Sequence, residues 1–556
     1  MDVGDLSEFL FRGGRVFTAD SAMPWAEAVL VRDGVIAAVG AAREVERLAG
    51  PGAEPVDLAG GLLTPGFVDA HAHPVQAGLE RARCDLAELY GEDAYLRRIA
   101  EYAAANPGKE WVDGGGWDMS AFPGGLPHRR ALDSVVPDRP AYLIQRDHHA
   151  AWVNTRALEL AGIGRDTPDP VDGRIERDED GTPSGVLHEG AMELVGPLAP
   201  RPTGEDLRAA LLDAQAYLFS QGVTGWQDAI VGAYAGSDDQ LPVYLEADAA
   251  GLLRARVVGA LWWDRARGRE QIEELADKRS RAVPGGRFHP TSVKIMQDGI
   301  PENFTAAMID PYLDGCGCLT DRRGLSYVDP ADLRGYVAAL DRAGFQVHFH
   351  AIGDRAVREA LDAFEAMGPS SGDLRHHIAH VQVVHPDDVP RFAALGVAAN
   401  LQMLWATHHA QMDELCIPFL GDERAAWQYP FADLVAAGTR LCAGSDWPVS
   451  SADPIQAIHV AVNRTEPGGS VHASYPTAAT PLLPEQRISL ETALTAYTAG
   501  SAWINRDADG GSITPGKRAD LAVLDRDPFT LDPADIWTTR VRATFVSGEP
   551  VHERKD

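Results

Sequence analysis

Apolar residues along this chain follow two rhythms. Over residues 8–60 they come as short runs broken by turn residues. "EFLFRGGRVFTAD" is interrupted at Gly13-Gly14, and "AEAVLVRDGVIAAVG" carries Asp33-Gly34 between two apolar runs, the signature of a hairpin. Residues 510–552, with "ADLAVLD" and "VRATFVSGEPV", read the same way, so the two ends are expected to pair into one small sheet domain, the alternative being two independent caps. The middle alternates short apolar runs with helical stretches. The runs are "LLTPGFVDAHAH", "GVTGWQDAI", "ARVVGALWW", "TSVKIMQDG", "FQVHFHAIGD", "HHIAHVQVV", "VAANLQML" and "TRLCAGSD". Between several of them lie segments such as "PADLRGYVAALDRAG" and "DRAVREALDAFEAMG", with apolar residues at helical spacing. Eight strands with intervening helices predict an α/β chain built on a (β/α)8 TIM barrel.

One interval is too long for a crossover. About 140 residues separate the first run from the second, which predicts an inserted subdomain over 85–214. Loops that follow barrel strands surround the active-site mouth, so this insertion is expected to cap the pocket. The resulting division is 1–60 with 482–556 for the terminal sheet domain, 61–84 with 215–481 for the barrel, and 85–214 for the cap.

Composition narrows the function. With 556 residues, 45% of them hydrophobic, the chain can bury a large core across two or three domains. A formal charge of -31 repels phosphate backbones and anionic lipid, which argues against nucleic acid or a membrane as partner. Five cysteines give no disulfide framework, and Cys316-x-Cys318 lacks a second half. The opening "MDVGDLSEFLFRGG" has acids where a signal peptide needs bases, and no apolar stretch is long enough to span a bilayer. A soluble cytoplasmic protein is expected.

The first apolar run ends in "TPGFVDAHAHP". Residues two apart on a strand face the same way, so His71 and His73 can grip one ion. Alone, H-x-H arises by chance among 18 histidines. His350, His380 and Asp446 change the weight, because they lie at the ends of the expected strands five, six and eight, and strand ends of a barrel converge on one mouth. Lys294, on the fourth, is one of only five lysines among 50 basic residues. A chain that nearly always chooses arginine for its cations has a reason to place an amine in an apolar strand. An amine can react with carbon dioxide to form a carbamate, an anionic oxygen ligand able to bridge two ions.

The order H-x-H, Lys, His, His, Asp resembles the amidohydrolase superfamily. "LLTPGFVDAHAHP", "FHAIGDRAV", "AGSDWPV" and "PGKRADLAVLD" resemble amidohydrolase family 3 in particular, and "VKIMQDGIPENFTAAM" resembles its N-substituted formamide deformylases. The resemblance covers nearly the whole chain. It implies a composite β-sandwich built from both termini and two Zn2+ ions, one held by His71, His73 and Asp446 and the other by His350 and His380, with carboxylated Lys294 as the bridge. It implies that a water between the cations ionises near neutral pH and attacks the substrate carbonyl, with Asp446 as base and then acid. The expected activity is hydrolysis of a neutral linear amide, an N-substituted formamide, to an amine and formate. Rivals are another amide, a cyclic amide, a carbamate or an ester at the same site, or a non-catalytic barrel scaffold. Candidate carbonyl-oxygen donors are His149 and His188, and Asp298 is a candidate support for an imidazole. Trp117, Phe304 and Trp447 are the expected substrate-pocket aromatics, together with Trp152 and Trp405. His148, His376, His377, His408 and His409 read as ordinary polar residues. A homodimer is the ordinary expectation for such enzymes.

Overall fold

The structure, a computed structural model, describes residues 8–234 and 238–554. Residues 1–7, which open the stretch read for a signal peptide, and Lys555 lie outside the described residues.

The centre is a parallel eight-stranded sheet. Its strands are β1 (Phe67–Ala72), β2 (Val223–Val231), β3 (Arg256–Trp262), β4 (Phe288–Met296), β5 (Gln346–Ala351), β6 (His377–His380), β7 (Ala398–Leu401) and β8 (Leu441–Ala443), each paired with the next in sequence. The sheet closes into a barrel just beyond β8, where Asp446 N–H donates to His71 C=O at 2.7 Å and His73 N–H to Trp447 C=O at 2.8 Å. The apolar runs read from the sequence are these eight strands. Nearly every strand residue is buried, as expected when helices cover the outside and side chains fill the inside.

The chain ends meet in two further sheets. Leu62–Pro65 pairs antiparallel with Leu521–Leu524, from the far end of the chain, in a six-stranded sheet. A four-stranded sheet holds Glu8–Arg12, Ala28–Arg32, Val35–Gly40 and Glu54–Asp57. Phe9, Phe11, Val29, Val31, Leu521 and Phe545 share one apolar cluster between the two. The Asp33-Gly34 hairpin forms with both residues at positive φ, 55° and 78°.

Three segment boundaries differ from the sequence reading. Leu62–Pro65 is a strand of the terminal sheet, not of the barrel, because it pairs with Arg15–Phe17 and Leu521–Leu524. The helix Gly204–Ser220 runs across 214/215 and, opened by a Thr203/Asp206 capping box, buries Leu207, Leu211, Leu218 and Phe219 in the barrel core. Residues 482–504 also belong with the barrel, since Ser501 Oγ bonds both the N–H and the C=O of Ala443 in β8, at 3.1 and 2.9 Å, and Ile504 packs with Ala70, Ala398 and Cys442 of the barrel strands. Polar surface positions at these junctions look alike in sequence, and only the packing partner separates them. The insertion has its own six-stranded sheet, from Cys84–Asp85 to Pro183–Glu189, and its own apolar cores. Among the described residues no helix is long and apolar enough to cross a membrane.

Candidate metal centre

A cavity of about 440 Å³ opens over the C-terminal ends of the barrel strands, lined by His71, His73, Lys294, His350, His380 and Asp446. Residues more than 370 positions apart meet there because β8 lies against β1. His73 Nε2 is 2.9 Å and His71 Nε2 3.1 Å from Asp446 Oδ1. One ligand atom from each of these three side chains lies within 4.8 Å of the others. Lys294 Nζ is 3.2 Å from His71 Nε2. The His380 ring sits 4.8 Å from that of His71 and 4.4 Å from that of His350, centre to centre. The barrel thus brings all six positions to one floor.

Close approach at this seam depends on Gly444. A Cβ there would lie 2.6 Å from both Cβ and N of His71. Gly444→Ala is therefore expected to lower stability by about 1–3 kcal/mol through overpacking and to cut turnover about 10²-fold by displacing His71, measured by thermal unfolding and kcat. Unchanged turnover in a folded Gly444→Ala protein would refute this account of the seam. Asp69 ties the same seam. Its carboxylate accepts from His71 N at 3.0 Å, Ser445 N at 3.0 Å and Ser445 Oγ at 2.5 Å.

Burial sets the electrostatics. It pushes the imidazoles of His71, His73, His350 and His380 below their ordinary value, His71 to about 3, so all four stay neutral and keep a lone pair. Burial would raise the Asp446 carboxyl, but His71 and His73 outweigh it and hold the group well below the usual carboxylate range. Burial lowers the Lys294 ammonium to about 7, with Asp446 and Asp228 opposing. Lys294 is 2% exposed and forms no ion pair among the described residues. An uncompensated buried ammonium costs several kcal/mol, on the order of the penalty for any unpaired interior ion. The neutral amine, the form that reacts with carbon dioxide, is the one this environment favours.

Four neutral imidazoles and an ionised carboxylate form a donor set that fits a divalent cation of borderline softness. Two nitrogens agree with that fit: His73 Nδ1 and His380 Nδ1 are buried without a hydrogen-bond partner. His350 Nε2 donates to Gly299 C=O at 3.4 Å, which leaves its Nδ1 lone pair free.

The supporting side chains are where sequence reading fell short. His348 Nε2 lies 2.9 Å from His71 Nδ1, and its ring centre lies 4.0 Å from that of His377, with the planes tilted by 38°. A His71 whose Nε2 offers a lone pair carries its proton on Nδ1 and donates it to His348, so His348 sets the tautomer. The signal was present: His348 and His350 alternate on β5 as His71 and His73 do. His377, read as an ordinary polar residue, is buried behind this pair. Asp298 accepts from the backbone N–H groups of Ile352, Gly353 and Ala307 and stands 3.6 Å from His350 Nε2. It ties the β4 and β5 loops together.

Three expected pocket aromatics, Trp117, Trp152 and Phe304, are elsewhere. Trp117 is buried inside the insertion, donating Nε1–H to Leu143 C=O at 2.8 Å and packing edge-on to Phe122 and Trp152; the cap needs its own core, and these rings supply it. Phe304 meets Tyr312 and Phe419 edge to face, outside the cavity lining, because the chain turns there at φ 64°. Trp447 does line the cavity and stacks on Tyr217 at 4.9 Å. So does Trp405, parallel to His380 at 5.1 Å. His188 is not in the lining and bonds Glu176 at 3.1 Å. His149 lines the cavity and holds Glu189 Oε1 at 2.9 Å through Nδ1. His148 and His409, read as ordinary, line it too, with His148 Nε2 3.1 Å from Glu80.

A model of the amidohydrolase family matches residues 54–552. The chain belongs to the amidohydrolase family. As an amidohydrolase it is a hydrolase. This amidohydrolase is 32% identical over 560 residues to the Protein LONG AFTER FAR-RED 3 of Arabidopsis thaliana, across 99% of the chain and 92% of that protein. It is 30% identical over 570 residues to the N-substituted formamide deformylase of Arthrobacter pascens, across 99% of both. A solved structure of an uncharacterized metal-dependent hydrolase from Pyrococcus furiosus is similar with a TM-score of 0.70 at 27% identity, over 94% of this chain and 100% of that one.

Proposed function

We propose that this amidohydrolase uses divalent metal, two zinc ions, to hydrolyse a neutral amide-type C–N bond, deformylating an N-substituted formamide to an amine and formate. The observation that carries this reading is the convergence of His71, His73, Lys294, His350, His380 and Asp446 on one cavity floor. The 30% identity to a deformylase over the whole chain supports the substrate class. His71, His73 and Asp446 would hold one ion and His350 and His380 the other, with Lys294 as a carbamate between them. Bound there, the ions supply Lewis acidity and an ionised water near neutral pH. Asp446, ionised in the resting site, takes the proton of the attacking water and returns it to the departing nitrogen. Trp405 and Trp447 exclude water around the amine substituent.

A neutral substrate is favoured because Arg146, the arginine in the cavity lining, is already occupied. Its guanidinium contacts Ala87 C=O at 2.8 Å and Asp118 at 3.4 Å. The five cysteines are unpaired, which supports a reducing cytoplasm as its place of work.

Metal analysis and formate release over a panel of amides test the proposal. Two equivalents of zinc per chain and formate from N-alkyl or N-aryl formamides are expected. Cleavage of acetamides, lactams, carbamates or esters without formamide turnover would reject the substrate class, and a protein that carries no divalent ion would reject the chemistry.

A further inference from the structure

The insertion delivers one side chain to the metal centre and holds it from behind. His149, 6% exposed, follows the strand Ala141–Gln145, and its ring centre lies 5.8 Å from that of His350. Its Nδ1 meets Glu189 Oε1 at 2.9 Å, and its backbone carbonyl accepts Glu189 N–H at 3.1 Å. Nδ1 being engaged behind the ring, Nε2 is the nitrogen left to the cavity that His149 lines.

Glu189 is itself over-determined. The same Oε1 lies 2.9 Å from Thr305 Oγ1 and accepts Asn303 Nδ2–H at 3.3 Å. Its backbone sits at φ 51°, a left-handed conformation that a glutamate adopts only when its surroundings compel it. Asn303 and Thr305 belong to the loop after β4, and that loop also supplies the Gly299 carbonyl that holds His350. Gly299 passes so close that a Cβ would lie 2.7 Å from Glu189 Oε1. One loop thus fixes both a histidine of the metal centre and the carboxylate behind His149.

We propose that His149, paired through Nδ1–H with the Glu189 carboxylate as an imidazolium, presents its Nε2–H to the carbonyl oxygen of the bound amide, and that Glu189 is the positioning residue that aims it. The hydrogen bond tightens as the oxygen gains negative charge, so the contribution falls on the transition state rather than on ground-state binding. No bond to His149 forms or breaks. The assignment rests on the reading that a carbonyl compound is cleaved here, and the test separates the two.

The probe is methylphosphonate, a tetrahedral oxyanion, titrated by calorimetry into the purified protein with its metal. His149→Asn keeps a donor toward Glu189 and removes Nε2. It is expected to weaken methylphosphonate at least about tenfold with zinc content and melting temperature unchanged. Glu189→Ala should weaken it similarly. Glu189→Gln, which keeps the shape and an oxygen toward Asn303 and Thr305 but not the charge, should weaken it as much as Glu189→Ala does, because a neutral ring held through Nδ1–H has no hydrogen on Nε2, a loss that a merely structural role would not show. On formamides the same variants should lose kcat with KM little changed. Absence of methylphosphonate binding in the wild type, binding within about twofold in His149→Asn, near wild-type binding in Glu189→Gln, or loss of zinc in either histidine or glutamate variant would each overturn the proposal. An intact methylphosphonate effect beside a wild type inert toward formamides would instead sink the formamide reading and leave this one standing.

Discussion

Asp446→Asn is expected to lower kcat by about 10³-fold while the protein stays folded, because positioned proton transfer contributes about 10²–10⁴-fold and the proposed mechanism has this carboxylate carry the proton both ways. The fold should survive for a backbone reason. Asp446 sits at φ 58°, a left-handed conformation that asparagine tolerates as readily as aspartate. The side-chain amide of the variant also retains an oxygen to accept from His73, which contacts the native Oδ1 at 2.9 Å. The substitution therefore removes basicity with little change of shape. Steady-state kinetics beside a thermal melt check it. A folded variant with near wild-type kcat would contradict the role assigned to Asp446.

The second large effect is expected at Lys294. Lys294→Met keeps the volume of a side chain that is 2% exposed and removes its nitrogen. Stability should hold or rise, since no buried amine then needs an ion-pair partner. Metal content should fall below two equivalents and turnover by about 10³-fold, because Asp446 would then be the one anionic oxygen ligand left in the proposed set for two ions. Lys294→Arg should be no better, as a guanidinium cannot be carboxylated and stays charged. Partial recovery of the Met variant by a small carboxylate such as acetate would show that an oxygen ligand is what was lost. The direct readout is a carbamate carbon in the NMR spectrum of wild-type protein equilibrated with 13C-bicarbonate. Full metal content and full turnover in Lys294→Met would refute the bridge.

Much of this site was legible before any fold was known, and the reason is geometric. A β-strand repeats every two residues, so His71 and His73 declare a shared face by spacing alone. A barrel gathers strand ends, so His350, His380 and Asp446 needed only to be recognised as strand ends to be placed together. Lys294 was conspicuous by composition, as an amine in a chain of arginines. His348 obeys the same alternation on β5, but spacing alone does not separate a histidine that faces the cavity from one that bonds His71.

The aromatics show where such reasoning stops. Trp117, Trp152, Phe304, Trp405 and Trp447 all stand beside chemistry-bearing segments, and nothing local separates the two that line the cavity from the three that pack elsewhere. A large ring is equally at home in either, and the side of the sheet or loop that it enters depends on what packs opposite. Glu189 is the clearest case. It lies 40 positions from His149 and 116 from Thr305, at no regular spacing from either.

The sequence by itself determined the strand count, the barrel, the two-ended sheet domain in outline and the donor atoms at the strand ends, because each follows from a short periodicity or from residue chemistry. Only the tertiary structure decided the tautomer partner of His71, the Asp69–Gly444 seam that lets β8 reach β1, the true segment boundaries and the Glu189 clamp on His149. Those depend on which surfaces meet across long loops, and burial, not local pattern, selects them.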